Sequence, residues 1–443
     1  AHNLGNKADG GAAMVMDVKT GRILALASYP TYDPNIWEKG LTVKQASDLY
    51  SATTGVPALT RPLQGMYAPA STFKSLSIIS AAKAGYSMNA LYECPAQVKI
   101  GNHIFKNFES KAQGRINMQT AIAVSCDTIW YQIAYDEWVR DGGLFPKSGL
   151  HDYFFNTAKQ FRLGQTTGID LPGEATGRLP DRAWKERWYK ANKDFFCNFQ
   201  SRARKADLTP YLIAIAKENC VDGNKVRAGD AVNFAIGQGD TLVTPIQMLQ
   251  IYAAIANGGT LFKPEIARAV VKADGTVVKS FAPVVEGRAP STKADIAFLH
   301  AALRQVATSG TAAGVFANFP VHVAGKTGTA QVVGKNPDGS NMGDTSWFSS
   351  FAPVESPQYA VVMMVSQGGF GSDVSAVGVR EIYSALYGVT GNTVDPANSV
   401  YPNGLSYALP SLDVKNAKLP KVLTTPKVSI SATPTVKNKK AKP

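Results

Sequence analysis

The sequence predicts a mixed α/β (α+β) fold in which strands from both ends of the chain share one sheet and apolar helices lie between them in the chain. The chain opens with two apolar runs around a tight turn. It closes with apolar extended runs at 321–325, 346–352 and 359–366. Between them, apolar residues recur with helical spacing. The opening hairpin and the closing runs are both too apolar to lie exposed, so they are expected to pair in one sheet. With 443 residues, 45% of them hydrophobic, the chain has core enough for one large domain or two.

Taken in order, residues 13–18 and 22–27 are the first two strands, and Lys19-Thr20-Gly21 between them reads as a hairpin turn. The run Tyr67-Ala68-Pro69-Ala70-Ser71-Thr72-Phe73-Lys74 reads as a loop entering a helix. Proline suits a first turn, Phe73, Leu76, Ile78 and Ile79 carry the helix into the core, and Gly85 stops it. Ser125-Cys126-Asp127 lies at a junction between apolar helical stretches at 118–124 and 128–134. Residues 183–228 are rich in Lys, Arg and aromatics (Trp184, Trp188, Phe195, Phe196) and read as an insertion. It is either a partner surface or a segment its own aromatics pack down. Val321-His322-Val323-Ala324 alternates like a strand and leads into Lys326-Thr327-Gly328-Thr329.

These short motifs carry the chemistry. Ser71 and Lys74 are three apart, share a helical face and can meet. Near a helix start, free backbone N–H groups and the dipole favour negative charge, which suits a serine becoming an alkoxide. A lysine kept dry has a lowered pKa and can serve as base. The Ser125 hydroxyl and Asp127 carboxylate can relay a proton and hold a lysine. Lys326 and Thr329 offer charge and a hydroxyl to a substrate carboxylate, and Gly328 would let a substrate backbone come close. Decoys exist. Ser80-Ala81-Ala82-Lys83 repeats the first pattern about half a turn out of phase and reads as helix surface or packing. Ser87-Met88-Asn89 reads as a turn, and Lys19-Thr20-Gly21 is assigned no catalytic role.

In this order, Ser71-Thr72-Phe73-Lys74, Ser125-Cys126-Asp127 and Lys326-Thr327-Gly328-Thr329 resemble the motif set of the transpeptidase domain of class B penicillin-binding proteins. The likeness covers roughly residues 10 to 390. It includes Asp17-Val18-Lys19-Thr20-Gly21-Arg22, Gly168-Ile169-Asp170-Leu171-Pro172-Gly173-Glu174, Ala235-Ile236-Gly237-Gln238-Gly239, Thr244-Pro245-Ile246-Gln247 and Trp347-Phe348-Ser349-Ser350-Phe351-Ala352-Pro353. The resemblance implies a five-stranded antiparallel sheet flanked by helices, with a helical subdomain carrying Ser125 and the site between them. It implies a peptidoglycan D,D-transpeptidase inhibited by β-lactams. Ser71 would be the acylated nucleophile and Lys74 its base, Ser125 would shuttle a proton to the leaving D-alanine, and Asp127 stands where asparagine is usual. Lys326 would order the site, Thr327 and Thr329 would bind the terminal carboxylate, and the backbone N–H groups of Ser71 and Thr329 would form the oxyanion hole. Asp127 favours the elongation-type branch, penicillin-binding protein 2. Ala70 and Ser350 stand where the family usually has glycine. A serine β-lactamase and a non-catalytic β-lactam sensor are the alternatives.

The implied partners are stem peptides ending in D-Ala-D-Ala, β-lactams and a membrane glycosyltransferase, with no cofactor. No run approaches 18 apolar residues, so no membrane span is read here. The family's membrane anchor and pedestal are expected to precede Ala1 in the full protein, which would face the outside of the cytoplasmic membrane. The net charge of +13 misleads: residues 411–443, with eight lysines and one aspartate, supply +7 of it and read as a disordered basic tail. Residues 1–410 are then the transpeptidase domain. The tail's natural attraction is to anionic lipid or wall polymer; with no stacking motif beside the charge, nucleic acid is not expected. The four cysteines leave a Cys197–Cys220 bridge open. Cys94, His103 and Cys126 fit no zinc spacing, so no metal is expected.

Overall fold

The computed structural model describes residues 8–38, 40–336 and 339–407. The expected sheet is present, built from β1 (Gly10–Asp17), β2 (Ile23–Tyr29), β3 (Ala324–Ala330), β4 (Thr345–Ala352) and β5 (Tyr359–Ser366). Their order is β3-β4-β5-β1-β2, every neighbour antiparallel. The first strand therefore pairs with the last, Gly10 opposite Ser366 and Asp17 opposite Tyr359. At the β1–β2 turn, Asp17 accepts from the Lys19 N–H at 3.0 Å and the Thr20 hydroxyl at 2.5 Å, and Gly21 takes φ +76°. Lys19-Thr20-Gly21 is a turn, as read.

One strand boundary differs from expectation. Residues 321–323 alternate in burial, with Val321 and Val323 in and His322 out, but they form no ladder. The strand is Ala324–Ala330 and contains the whole Lys-Thr-Gly-Thr motif. Alternating hydrophobicity reports which side faces the core; a strand also needs a hydrogen-bonding neighbour, and the register here begins at Ala324 opposite Phe351.

Side chains alternate across β4, and each face meets its own helices. Ser346 and Ser350 bond to Ser375 and Tyr383 of the helix Ser375–Tyr387, while Phe351 packs on His300 of the helix Lys293–Thr308. The Ser350 hydroxyl thus has a partner in Tyr383 at 3.1 Å, which accounts for a serine at that position. The helix Pro245–Ala256 is buried along its whole length and mostly apolar, and its polar groups at Gln247, Gln250 and Tyr252 are each hydrogen-bonded, as burial requires.

The remaining site elements are α1 (Lys74–Lys83), α2 (Met118–Ala123) and α3 (Thr128–Arg140). Residues Lys74 to Ala81 are all buried, so α1 has no solvent face over its first two turns. Ser80 is accordingly not helix surface; its hydroxyl bonds back to the Leu76 carbonyl at 3.0 Å inside the core. Ser87-Met88-Asn89 lies at a turn, as read.

Within 183–228, the helices Arg182–Cys197 and Pro210–Asp222 are joined by a Cys197–Cys220 disulfide. Trp184 stacks on Trp188, and Trp188 meets Phe196, so these aromatics pack on one another. A second disulfide, Cys94–Cys126, was not foreseen. The described residues divide into a large unit, 8–266 with 282–405, and a small one, 267–281 with 406–407. The small unit carries an antiparallel hairpin of Ala269–Val271 and Val277–Ser280. The basic segment 411–443 lies outside the described residues.

Candidate active site

Ser71 sits in a 3₁₀ turn, Ala70–Phe73, that runs straight into α1 at Lys74. The turn is tighter than the α-helical first turn expected, and several ties hold it. Ala70, buried at φ +49°, donates its N–H to the Gly237 carbonyl at 2.9 Å. The Thr72 hydroxyl donates to the Pro69 carbonyl at 2.6 Å, and the Tyr252 hydroxyl donates to the Thr72 carbonyl at 3.0 Å. Tyr252 is wholly buried and also bonds Ser75 at 2.8 Å.

Lys74 points from α1 toward the α2–α3 junction. Its ammonium donates to Asp127 Oδ1 at 2.6 Å, to the Ser125 carbonyl at 2.8 Å and to Ser125 Oγ at 3.2 Å. The second motif thus lands on the first, as the sequence predicts. Ser125 takes φ +59°, a left-handed conformation that lets its hydroxyl and carbonyl both face the lysine.

The junction is pinned by Asn107. Its side-chain oxygen accepts from the N–H groups of Asp127 at 2.8 Å and Thr128 at 3.0 Å, filling the N-terminal cap of α3. Its amide nitrogen donates to the carbonyls of Pro95 at 2.8 Å and Lys111 at 2.9 Å. The Cys94–Cys126 bridge ties the middle residue of the motif to the same loop. Neither Asn107 nor this disulfide was found by reading the sequence. A cysteine inside the motif was the available signal for the bridge, and nothing local marks Asn107.

Lys326, on β3, is fully buried, and its ammonium donates to the Thr327 carbonyl at 3.2 Å. Burial pushes its pKa well down, and repulsion from Lys74 adds to that against a smaller pull from Asp127. Burial likewise lowers Lys74, with Asp127 in part offsetting it. Two dry ammonium groups sharing one carboxylate are costly, so the cluster sheds a proton readily. That is the condition for an amine to act as base.

Gly328 serves a closer contact than the one expected. A Cβ there would lie 3.0 Å from the Pro69 carbonyl and 3.1 Å from Thr72 Cγ2. The bare glycine therefore lets β3 close on the Ser71 turn. Thr327 Oγ1 lies 2.7 Å from Thr311 Oγ1, and Thr329 Oγ1 accepts from the Gly371 N–H at 3.2 Å. Lys74, Ser125, Asp127 and Lys326 are thus joined in one electrostatic cluster. The Ser71 turn abuts Gly328, with Thr327 and Thr329 on either side of that glycine. Tyr252 and Thr311 belong to this set and carry no motif that would have marked them.

Residues 11–384 match the model of the penicillin-binding protein transpeptidase domain. The peptidoglycan D,D-transpeptidase MrdA of Escherichia coli (strain K12) is 29% identical over 88% of this chain and 56% of its own length. MrdA of Acinetobacter baumannii is 28% identical over 93% of this chain and 55% of its own. The chain therefore spans about half the length of the curated relatives it matches. Among solved structures, Pseudomonas aeruginosa PBP2 in complex with WCK 5153 superposes with a TM-score of 0.67 at 26% identity, covering 89% of this chain and 77% of that one.

Proposed function

The chain belongs to the penicillin-binding protein transpeptidase family, and on that footing we propose that it is a serine D,D-transpeptidase cross-linking peptidoglycan stem peptides. The observation that carries the reading is the Lys74 ammonium, one turn from Ser71 and 2.6 Å from Asp127, 3.2 Å from Ser125 Oγ. Neutral Lys74 takes the Ser71 proton as Oγ attacks the carbonyl carbon of the D-Ala–D-Ala bond. The backbone N–H groups of Ser71 and Thr329 receive the oxyanion, and such a donor is worth about 10²–10³ in rate. The C–N bond breaks, and the proton returns through Ser125 to the amine of the leaving D-alanine. An amine on a neighbouring stem then attacks the ester, and Ser71 recovers its proton. Lys326 sets the field, and Thr327 and Thr329 take the donor's terminal carboxylate.

A β-lactam enters by the same first step and leaves no diffusing amine. The reading places the protein on the outer side of the cytoplasmic membrane, anchored there in its full-length form beside a glycosyltransferase in elongation-type wall synthesis. The two disulfides support an oxidising compartment.

The test is covalent labelling with a fluorescent penicillin. The wild type should label one-to-one on Ser71, and Ser71→Ala should not label. A wild type that stays unlabelled, or a labelled Ser71→Ala protein, overturns the reading.

A further inference from the structure

Thr311 lies in the turn after the helix Lys293–Thr308, outside the three motifs, yet it touches one of them and the helix end just ahead of another. Its N–H donates to the Ala123 carbonyl at 3.0 Å, at the end of α2 and two residues before Ser125. Gly310 makes this approach feasible, because a Cβ there would collide with that same carbonyl. Its hydroxyl lies 2.7 Å from the Thr327 hydroxyl. Thr327 is buried, while Thr311 is exposed, so the hydroxyl pair opens outward at Thr311.

We infer that Thr311 is a further residue for binding the anionic end of the acyl donor, acting as a pair with Thr327; the inference rests on the transpeptidase reading above. Proton counting carries it. Two hydroxyls hold two protons, and their mutual bond consumes one. Lys326 Nζ, 3.5 Å from Thr327 Oγ1, approaches as a further donor to that oxygen. One O–H of the pair therefore remains to be given away, and it is fixed in direction by the other. A carboxylate accepts such a donor strongly. Thr311 is a positioning residue where it orients the Thr327 proton and a direct ligand where it donates its own; both serve the same carboxylate. The backbone tie to Ala123 holds this pair at a set distance from the Ser125 motif.

The experiment compares acylation of the full chain by benzylpenicillin, which carries a carboxylate, and by its methyl ester, which does not. Thr311→Val keeps the shape and removes the hydroxyl. It should raise the half-saturating benzylpenicillin concentration about tenfold, the usual worth of a hydrogen bond to a charged group. The limiting acylation rate and both parameters for the ester should stay within about twofold on the same argument. Thr311→Ser should restore the benzylpenicillin value, and Thr311→Ala should repeat the valine result, so one poorly folding variant does not decide the matter. Equal losses for acid and ester, a loss confined to the limiting rate, or no change in either compound overturns the inference. A wild type that neither compound acylates overturns the transpeptidase reading itself, a separate result.

Discussion

Lys74 Nζ stands 2.6 Å from Asp127 Oδ1, with the lysine side chain wholly buried and the aspartate 14% exposed. The carboxylate stabilises the charged amine and so opposes the burial that lowers its pKa. Asp127→Asn keeps a hydrogen-bonding group and removes that opposition. The Lys74 pKa should then fall further, and the neutral, basic form should persist to lower pH. Acylation rate plotted against pH should accordingly show its rising limb shifted toward acid. A limb that stays in place, or moves toward alkali, would show that Asp127 does not set the charge on the base.

Asp127→Ala should behave differently from the asparagine variant. Both remove the counter-charge, but alanine also leaves the buried amine without its hydrogen-bonding partner at that position, a further loss of about 1–3 kcal/mol. Thermal or urea unfolding of the two variants side by side reads the difference. Equal stabilities would mean that solvent reaches Lys74.

Lys74→Ala removes the base and one of two like charges. Lys326 then keeps Asp127 near it and loses a repelling neighbour, so its pKa should rise and the fold should hold. Acylation by a penicillin should slow ~10²–10⁴-fold, the usual worth of general-base assistance. Rates within a factor of about three of wild type would remove Lys74 from that role.

The Cys94–Cys126 bridge closes a loop with a sequence separation of 32 that includes Asn107. Loop-closure entropy for that length gives about 3–4 kcal/mol. Denatured, unreduced protein should show no free thiols, and Cys94→Ser/Cys126→Ser should melt lower and acylate more slowly as the Ser125 junction loosens. Four free thiols would reject both bridges. Asn107→Ala acts on the same junction by leaving the Asp127 and Thr128 N–H groups unpaired, at about 1–3 kcal/mol for each buried donor.

These residues also mark where sequence reading stopped. The three motifs were legible because each is local: Ser71 and Lys74 lie one turn apart, and Lys326 to Thr329 are contiguous. The hairpin and β5 were legible because their apolar runs have no alternative place to go. Asn107 and Thr311 act on groups 20 and 16 positions away, through contacts no local pattern encodes. The start of β3 was misplaced because Val321 and Val323 alternate in burial without a strand beside them.

Gly237 shows the backbone side of the same problem. It holds φ +70°, and a Cβ would fall 2.5 Å from the Ala70 carbonyl and 2.6 Å from Phe73 Cβ. Gly237→Ala adds a left-handed penalty of roughly 1–2 kcal/mol and then pushes on the Ser71 turn. Ala70→Gly should have the opposite sign, since Ala70 already sits at φ +49°. The expected gain is below about 1 kcal/mol, because glycine also frees the unfolded chain. A stabilised Gly237→Ala, measured by urea unfolding, would reject this account of the turn.

Gly328 separates activity from stability. Its alanine Cβ would meet the Pro69 carbonyl at 3.0 Å, Thr72 Cγ2 at 3.1 Å and Trp347 Cβ at 3.1 Å, contacts tight enough that a neighbour must give. Trp347 is buried in β4 and the Ser71 turn is tied through Thr72 to Tyr252, so the strain is shared between β3 and that turn and shifts the nucleophile against its surroundings. Overpacking of this kind costs about 1–3 kcal/mol. A displacement near 1 Å at a reacting group can lower its rate ~10²-fold. Gly328→Ala should therefore stay folded, with a modest fall in melting temperature, while penicillin acylation drops about a hundredfold by that reasoning. Acylation that falls no further than the stability loss accounts for would mean that the strand and the nucleophile turn are not in register through this glycine.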